Sequence, residues 1–291
     1  MKVFVTGASG FVGSAVVKEL IRTGHQVLGL ARSEESATAI RNAGAEVLMG
    51  SLEDYEMLKQ GVLESDGVIH TGFIHDFARF ARSNEIEKEV IHAMGEALAG
   101  TSKPIVVTAG ILGLPPVNGM VTEESMLQIP LRTSESAALK LAENGVHVSV
   151  VRLAPSTHDQ GDKGFVPFII HQARKHGVAA YPGDGSNRWP AVHRQDAAKL
   201  FCLALEKGAK GALYNAIGDT GIEMKKIAEL IGEKLNVPLK SLSAEETARH
   251  FEWMSHFIAF DSPATSFKTQ ELLGWKPTGI GLLEDMTKHY F

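Results

Sequence analysis

Cysteine is all but absent from this chain of 291 residues: Cys202 stands alone, so no intrachain disulfide can form. It lies in the apolar run 197–205, which reads as a buried helix and makes it a core thiol rather than a nucleophile. No stretch reaches the roughly 18 consecutive apolar residues that a membrane span requires. Positive charge is not in excess either. The net charge is −5 with no basic stripe, which removes electrostatic capture of nucleic acid or an anionic membrane and leaves small molecules as the expected partners. The first residues run directly into a strand-like segment, and the expected location is cytoplasmic. Twelve histidines are present, yet none are spaced His-x-x-x-His and there is no Cys-x-x-Cys, so no metal is expected. Tyrosine is scarce as well, with four in all and none between Tyr55 and Tyr181.

Glycine, by contrast, is plentiful and placed with purpose. The opening run Lys2-Val-Phe-Val-Thr6 breaks into Gly7, Gly10 and Gly13, and an amphipathic segment follows with Val12, Val16, Val17, Leu20 and Ile21 on one face. A strand, a tight turn and a helix start in this order form a cradle for a pyrophosphate. Gly7 permits the turn, Gly10 lets the backbone approach the phosphates, and Gly13 leaves room for the helix. The helix N-terminus adds unpaired N–H groups and the positive end of its dipole.

Strand-like runs at 3–6, 26–31, 46–49, 67–70, 105–108 and 147–153 alternate with helix-like segments at 13–23, 34–43, 54–63, 86–99 and 134–144. This alternation predicts an α/β, doubly wound parallel sheet covered on both faces. Gly24, Gly44, Gly100 and Gly145 follow predicted helices at the position where a left-handed residue ends them. Beyond Leu153 the alternation stops, and helix-like segments at 166–175, 195–205, 222–235 and 244–250 are separated by longer loops. The expected organisation is a dinucleotide-binding domain over 1–155 and a smaller C-terminal substrate lobe over 156–291, with about 190–218 returning to the first domain.

The second strand ends Leu30-Ala31-Arg32-Ser33. A carboxylate at this tip would bind a ribose 2′-hydroxyl and repel a 2′-phosphate. A guanidinium and a hydroxyl stand there instead, and arginine grips phosphate through charged hydrogen bonds. The expected cofactor is NADP(H), bound by Arg32 and Ser33. The competing reading leaves Arg32 solvated, with Glu34 or Glu35 reaching the ribose.

Taken together these motifs resemble the short-chain dehydrogenase/reductase superfamily, in its atypical extended, epimerase/dehydratase-like branch, over essentially the whole chain. The resemblance implies a Rossmann domain in which Gly7, Ser9, Gly10, Phe11, Val12 and Gly13 hold the pyrophosphate. Gly50-Ser51-Leu52 stands where the family contacts adenine, which assigns Ser51 and Leu52. Gly67-Val-Ile-His-Thr-Gly72 is similar to the fourth strand and its cofactor-facing end, which assigns Thr71 and Gly72. Val151-Arg-Leu-Ala-Pro155 is similar to the strand before the nicotinamide-covering loop, which assigns Leu153 and Pro155. Thr108 ends the strand that carries the family's catalytic serine or threonine. Val192-His193 with Asp196, and Leu273-Gly-Trp-Lys-Pro277, match two further signatures.

One signature is missing. The family's Tyr-x-x-x-Lys uses the lysine to lower the tyrosine pKa for proton exchange with a carbonyl or alcohol. Aligned on this chain, the tyrosine position holds Leu131 and the lysine position Glu135. Tyr55-Glu-Met-Leu-Lys59 fits the pattern literally but belongs to the adenine-side helix, outside the required context. Three residues are therefore considered for the chemistry. Thr108 can polarise a carbonyl. Arg132 can stabilise an alkoxide, or be an ordinary arginine salt-bridged near Glu135. His158, on a loop expected to face the substrate, can act as a general acid near neutral pH, or have no catalytic part. His193 is expected to be structural, bonded to backbone at the lobe junction. For the substrate, Phe73 and His75 are expected to line the pocket, and Trp189 to offer a flat wall or a core side chain. Arg188 lies near where sugar-nucleotide epimerases bind a diphosphate, but one position out of register.

The resulting expectation is an NADP(H)-dependent oxidoreductase acting on a small carbonyl or alcohol substrate, as a monomer or homodimer. An NADP(H)-binding sensor with little turnover, and an epimerase/dehydratase, are the alternatives; fold alone does not choose among them.

Overall fold

The computed structural model describes residues 1–76, 79–126 and 132–291. Its first half alternates strand and helix: β1 (Lys2–Thr6), α1 (Phe11–Arg22), β2 (Gln26–Ala31), α2 (Glu34–Asn42), β3 (Glu46–Met49), α3 (Tyr55–Leu63), β4 (Gly67–His70), α4 (Phe80–Leu98), β5 (Ile105–Gly110), α5 (Ser134–Glu143) and β6 (Val148–Leu153). The second half adds β7 (Ser156–His158), α6 (Phe165–His176), β8 (Ala179–Pro182), β9 (Arg188–His193), α7 (Arg194–Lys207), β10 (Leu213–Ala216), β11 (Asp219–Glu223), α8 (Met224–Leu235), β12 (Leu239–Leu242), α9 (Ala244–Phe251), α10 (Ser255–Ile258), α11 (Phe267–Leu273) and α12 (Leu282–His289).

Seven strands form one parallel sheet in the order β10-β6-β5-β4-β1-β2-β3. Successive side chains of a strand point to opposite faces, and here both faces are buried. Val3 and Val5 pack with α1, α2 and α7. Phe4, between them, packs with α3, α4 and α5. This two-sided burial is why β1 reads as a continuous apolar run instead of an alternating one. Strand order reverses between β1 and β4, the crevice where open α/β sheets bind ligands.

The predicted glycine stops hold: Gly24, Gly44, Gly100 and Gly145 all have φ between 73° and 93°. Several boundaries differ from expectation by one or two residues, among them α1, β5 and α7. Helix α4 begins at Phe80, six residues earlier than its apolar period suggests, and Ile222 belongs to β11 rather than to the helix after it. Helix α7 packs on α1, and β10 extends the sheet beside β6. Buried Asp196 accepts hydrogen bonds from the backbone N–H of Thr278 and Gly279, and the Trp275 indole donates to its carbonyl. The two late sequence signatures thus meet in space, and tie the C-terminal segment to α7. The remaining elements enclose a separate apolar core built on α6, α8, α9 and α12. No helix among the described residues is long and apolar enough to cross a membrane.

Candidate functional site

The crevice between β1 and β4 opens into a cleft of about 910 Å³ that continues to the second lobe. Its floor is the glycine turn. Gly7 adopts φ +69°, and a Cβ there would lie 2.7 Å from the Gly72 backbone nitrogen. A Cβ on Gly13 would come within 2.0 Å of the Gly7 carbonyl oxygen. The third glycine is therefore required by the turn itself as much as by the sheet. Gly10 is different: it caps α1 in extended geometry, and a Cβ there would meet only the Gly7 carbonyl, at 3.1 Å. The first N–H groups of α1 have no partner within the helix, and they stand beside Gly10 in the cleft. A glycine edge, free amides and an open approach fit a pyrophosphate.

Gly7, Ser9, Gly10, Phe11, Val12, Gly13, Arg32, Ser51, Leu52, Thr71, Gly72, Leu153 and Pro155 all line this cleft, as do Phe73, His75, Thr108 and Arg132. Ser33 does not. Its hydroxyl caps α2 by accepting from the Ser36 backbone N–H and donates to the Ser36 hydroxyl, and it is Ser36 that lines the cleft beside Arg32. A capping serine three residues ahead of another serine was the signal available in sequence. Glu34 pairs with Arg41 on the exposed face of α2.

Thr108 is buried within β5, which runs two residues beyond the expected end, and its hydroxyl donates to the His70 carbonyl at 2.7 Å. Arg132 is held by Glu87, with Nε donating at 2.9 Å and Nη2 to the second carboxylate oxygen, and its guanidinium lies 4.0 Å over the Phe73 ring. Its partner is thus Glu87 on α4, not nearby Glu135. Burial pushes the Glu87 carboxyl up from its ordinary pKa while Arg132 opposes the shift. Glu135, also at the cleft, takes 2.6 and 2.7 Å hydrogen bonds from fully buried Arg152. Arg152 in turn donates to the carbonyls of Thr122, Glu123 and Ser125, fixing that segment. The aligned tyrosine position, Leu131, lies outside the described residues.

A further expectation needs correction. His158 is not on a loop facing the cleft: it ends β7, is buried, and its Nδ1 lies 2.8 Å from Asp285 on α12. Burial lowers its pKa despite that carboxylate. Of the two places open to Trp189, a cleft wall and the core, it takes the core. It lies in β9 with 0% exposure, in the core of the second lobe, with its ring 5.7 Å from that of Phe165. Arg188 likewise lies outside the cleft and pairs with Asp261. His193 accepts from the Gln195 backbone N–H and caps α7, as expected. Tyr55 donates to Glu89 on the outer face, which pushes its phenol up to about 12, and it does not line the cleft.

The substrate side also contains residues that the sequence reading missed: Phe80, Leu112, Asp162, Lys163, Phe165, Phe168, Trp253 and Phe257. Phe165 and Phe168, and likewise Trp253 and Phe257, have helical spacing, a pattern identical for core and cleft. Asp162 accepts from the Gly164 backbone N–H and the Tyr290 hydroxyl, at 2.6 and 2.8 Å, and burial raises its pKa.

A family model described as NAD(P)H-binding matches residues 7–202. An uncharacterized protein of Schizosaccharomyces pombe is 46% identical over 98% of each chain. The 2-alkyl-3-oxoalkanoate reductase of Stenotrophomonas maltophilia is 30% identical over 73% of this chain and 67% of its own. Among solved structures, UDP-glucose 4-epimerase of Thermotoga maritima superposes with a TM-score of 0.77 at 21% identity, covering 100% of this chain and 98% of its own. The matching model, these relatives and the β1–β4 crevice with its glycine turn converge: the chain belongs to the NAD(P)H-binding proteins of the extended short-chain dehydrogenase/reductase superfamily.

Proposed function

We propose that this protein is an NADPH-dependent reductase of a small carbonyl compound. The observation that carries the reading is the continuity of the cleft, which joins the glycine turn and Arg32 at one end to Thr108, Arg132 and an aromatic wall at the other. Bound NADPH would supply a hydride to the carbonyl carbon. Gly10 and the α1 amides would hold its pyrophosphate, and Arg32 with Ser36 would grip the 2′-phosphate. The reductase relative supports carbonyl reduction.

The chain's own residues then have to receive the negative charge that develops on the substrate oxygen. Arg132, anchored by Glu87 and stacked on Phe73, supplies a pre-oriented cation. Thr108 already donates to the His70 carbonyl, so its oxygen would accept from a water; that water would give its proton to the substrate oxygen and be reprotonated from solvent through the mouth of the cleft. Leu153 and Pro155, which line the same stretch of the cleft, would cover the nicotinamide. NADPH and NADH oxidation against a panel of ketones and aldehydes tests the reading. Substrate-dependent NADPH oxidation with formation of the alcohol is expected, and none across the panel refutes it.

The sensor reading has one observation in its favour: no tyrosine among the described residues lines the cleft. It predicts tight NADPH binding with no oxidation by any carbonyl. The epimerase reading loses support from Arg188, which pairs with Asp261 instead of facing the cleft.

A further inference from the structure

We propose that the substrate half of the cleft is a box for a flat, uncharged ring system bearing the reacting carbonyl, such as an aryl ketone or cyclic enone, which packs on an aromatic wall of Phe165, Phe168, Trp253 and Phe257. The proposal takes its chemistry from the reductase reading above, whereas its binding claim stands separately.

Charge comes first. A nucleotide sugar brings two negative charges, which need committed cations in a low-dielectric site. On this side the cleft carries Arg132, already matched by buried Glu87, and exposed Lys163, which follows Asp162 in the chain. Glu135 adds a further carboxylate, engaged by Arg152. Three cations, Arg132, Lys163 and Arg152, meet three carboxylates, Glu87, Asp162 and Glu135, so the balance is neutral, and a dianion finds at most one exposed lysine to receive it.

The walls point the same way. Ring centroids of Phe168 and Trp253 are 4.9 Å apart, those of Phe165 and Phe257 5.8 Å, and those of Phe165 and Trp253 6.0 Å, all tilted. Helix α6 supplies two of these rings, the turn between α9 and α10 supplies Trp253, and α10 supplies Phe257. Behind them, Phe165 leans on fully buried Trp189, so the cluster is braced by the lobe core. Immediately before Trp253, Glu252 has φ +51° and ψ −125°, a conformation that non-glycine residues rarely adopt. Strain of this kind collects where a side chain must be aimed at a ligand. Rigid aromatic walls favour flat apolar ligands over polar sugars.

Tryptophan emission provides the test, because Trp189 and Trp275 are 0% and 1% exposed whereas Trp253 lines the cleft. The protein saturated with NADP⁺ is titrated with 2-acetylnaphthalene and, separately, with UDP-glucose. Saturable quenching by the ketone is expected, lost in Trp253→Phe with an unchanged melting temperature, and no response to UDP-glucose. Phe168→Leu, which keeps bulk but removes the flat ring, should weaken the ketone at least tenfold and leave NADP⁺ affinity within twofold. Saturable quenching by UDP-glucose, or unaltered ketone affinity in Phe168→Leu, overturns the box. Quenching in a protein that never oxidises NADPH supports the box while refuting the reductase; reduction of short acyclic ketones with no quenching by the aryl ketone does the reverse.

Discussion

Arg32 and Thr108 each carry one separable part of the proposed chemistry. Arg32 lines the cleft beside Ser36, and Glu34 is turned toward Arg41. A charged hydrogen bond contributes about 1.5–3 kcal/mol, so Arg32→Ala should weaken NADPH binding at least tenfold and leave NADH within twofold. Titration of both cofactors checks it, and equal loss for both would remove the 2′-phosphate assignment. Thr108→Val deletes the hydroxyl that donates to His70. Its structural cost should be about 1 kcal/mol, while turnover should fall roughly ten- to a thousandfold, the span from one hydrogen bond to a preorganised oxyanion donor. Thr108→Ser should restore most turnover, and Tyr55→Phe should leave it unchanged. Kinetics that spare Thr108→Val but collapse in Tyr55→Phe would relocate the active site.

At the scale of the element, the turn between β1 and α1 gives its glycines distinct duties. Gly10 has φ −73° and ψ 174°, which any residue adopts, whereas a Cβ on Gly13 would collide with the Gly7 carbonyl oxygen at 2.0 Å. Gly10→Val should therefore melt cooperatively but gain no stability from NADPH, since the new side chain fills the phosphate approach. Gly13→Ala should lose melting temperature even without cofactor. Thermal scans with and without NADPH separate the two, and a Gly10→Val protein still stabilised by NADPH would end the pyrophosphate role.

The whole molecule carries a pH dependence written into its buried histidines. His70, buried between β1 and β5 with its Nδ1 2.7 Å from the Thr6 hydroxyl, is lowered to about 3, first by burial and then by Arg132. His158 is also lowered by burial. Unfolded, each would titrate near 6.5. Below that pH the unfolded chain binds more protons than the folded one, so stability is present above about pH 6.5 and falls as pH drops toward 3. For His70 the slope should be about 1 kcal/mol per pH unit across that range, and His158 adds in the same direction. Urea unfolding at successive pH values tests this, and His70→Gln should flatten the slope even if it lowers the plateau. A wild-type stability that is level from pH 7 to 4 would contradict it.

The doubly wound sheet, the glycine cradle and the helix-ending glycines were legible from the chain alone, because each depends on neighbours a few residues away. Two-sided burial makes β1 uniformly apolar, and a left-handed φ selects Gly24 or Gly145 without reference to distant contacts. The substrate half was not legible in this way. His158 found Asp285 across 127 positions, and Glu123 receives hydrogen bonds from Thr269 across 146, so no local pattern could reveal that the first is sequestered or that the second is a brace. Trp189 and Trp253 illustrate the same limit: both are aromatic residues among apolar neighbours, but packing buries the first in the lobe core and sets the second in the cleft wall. Over residues 1–153 local periodicity determined which segments became strands and helices, whereas only tertiary contacts decided the later strands β7 to β12 and which side chains face the ligand, since those choices are made between residues far apart in the chain.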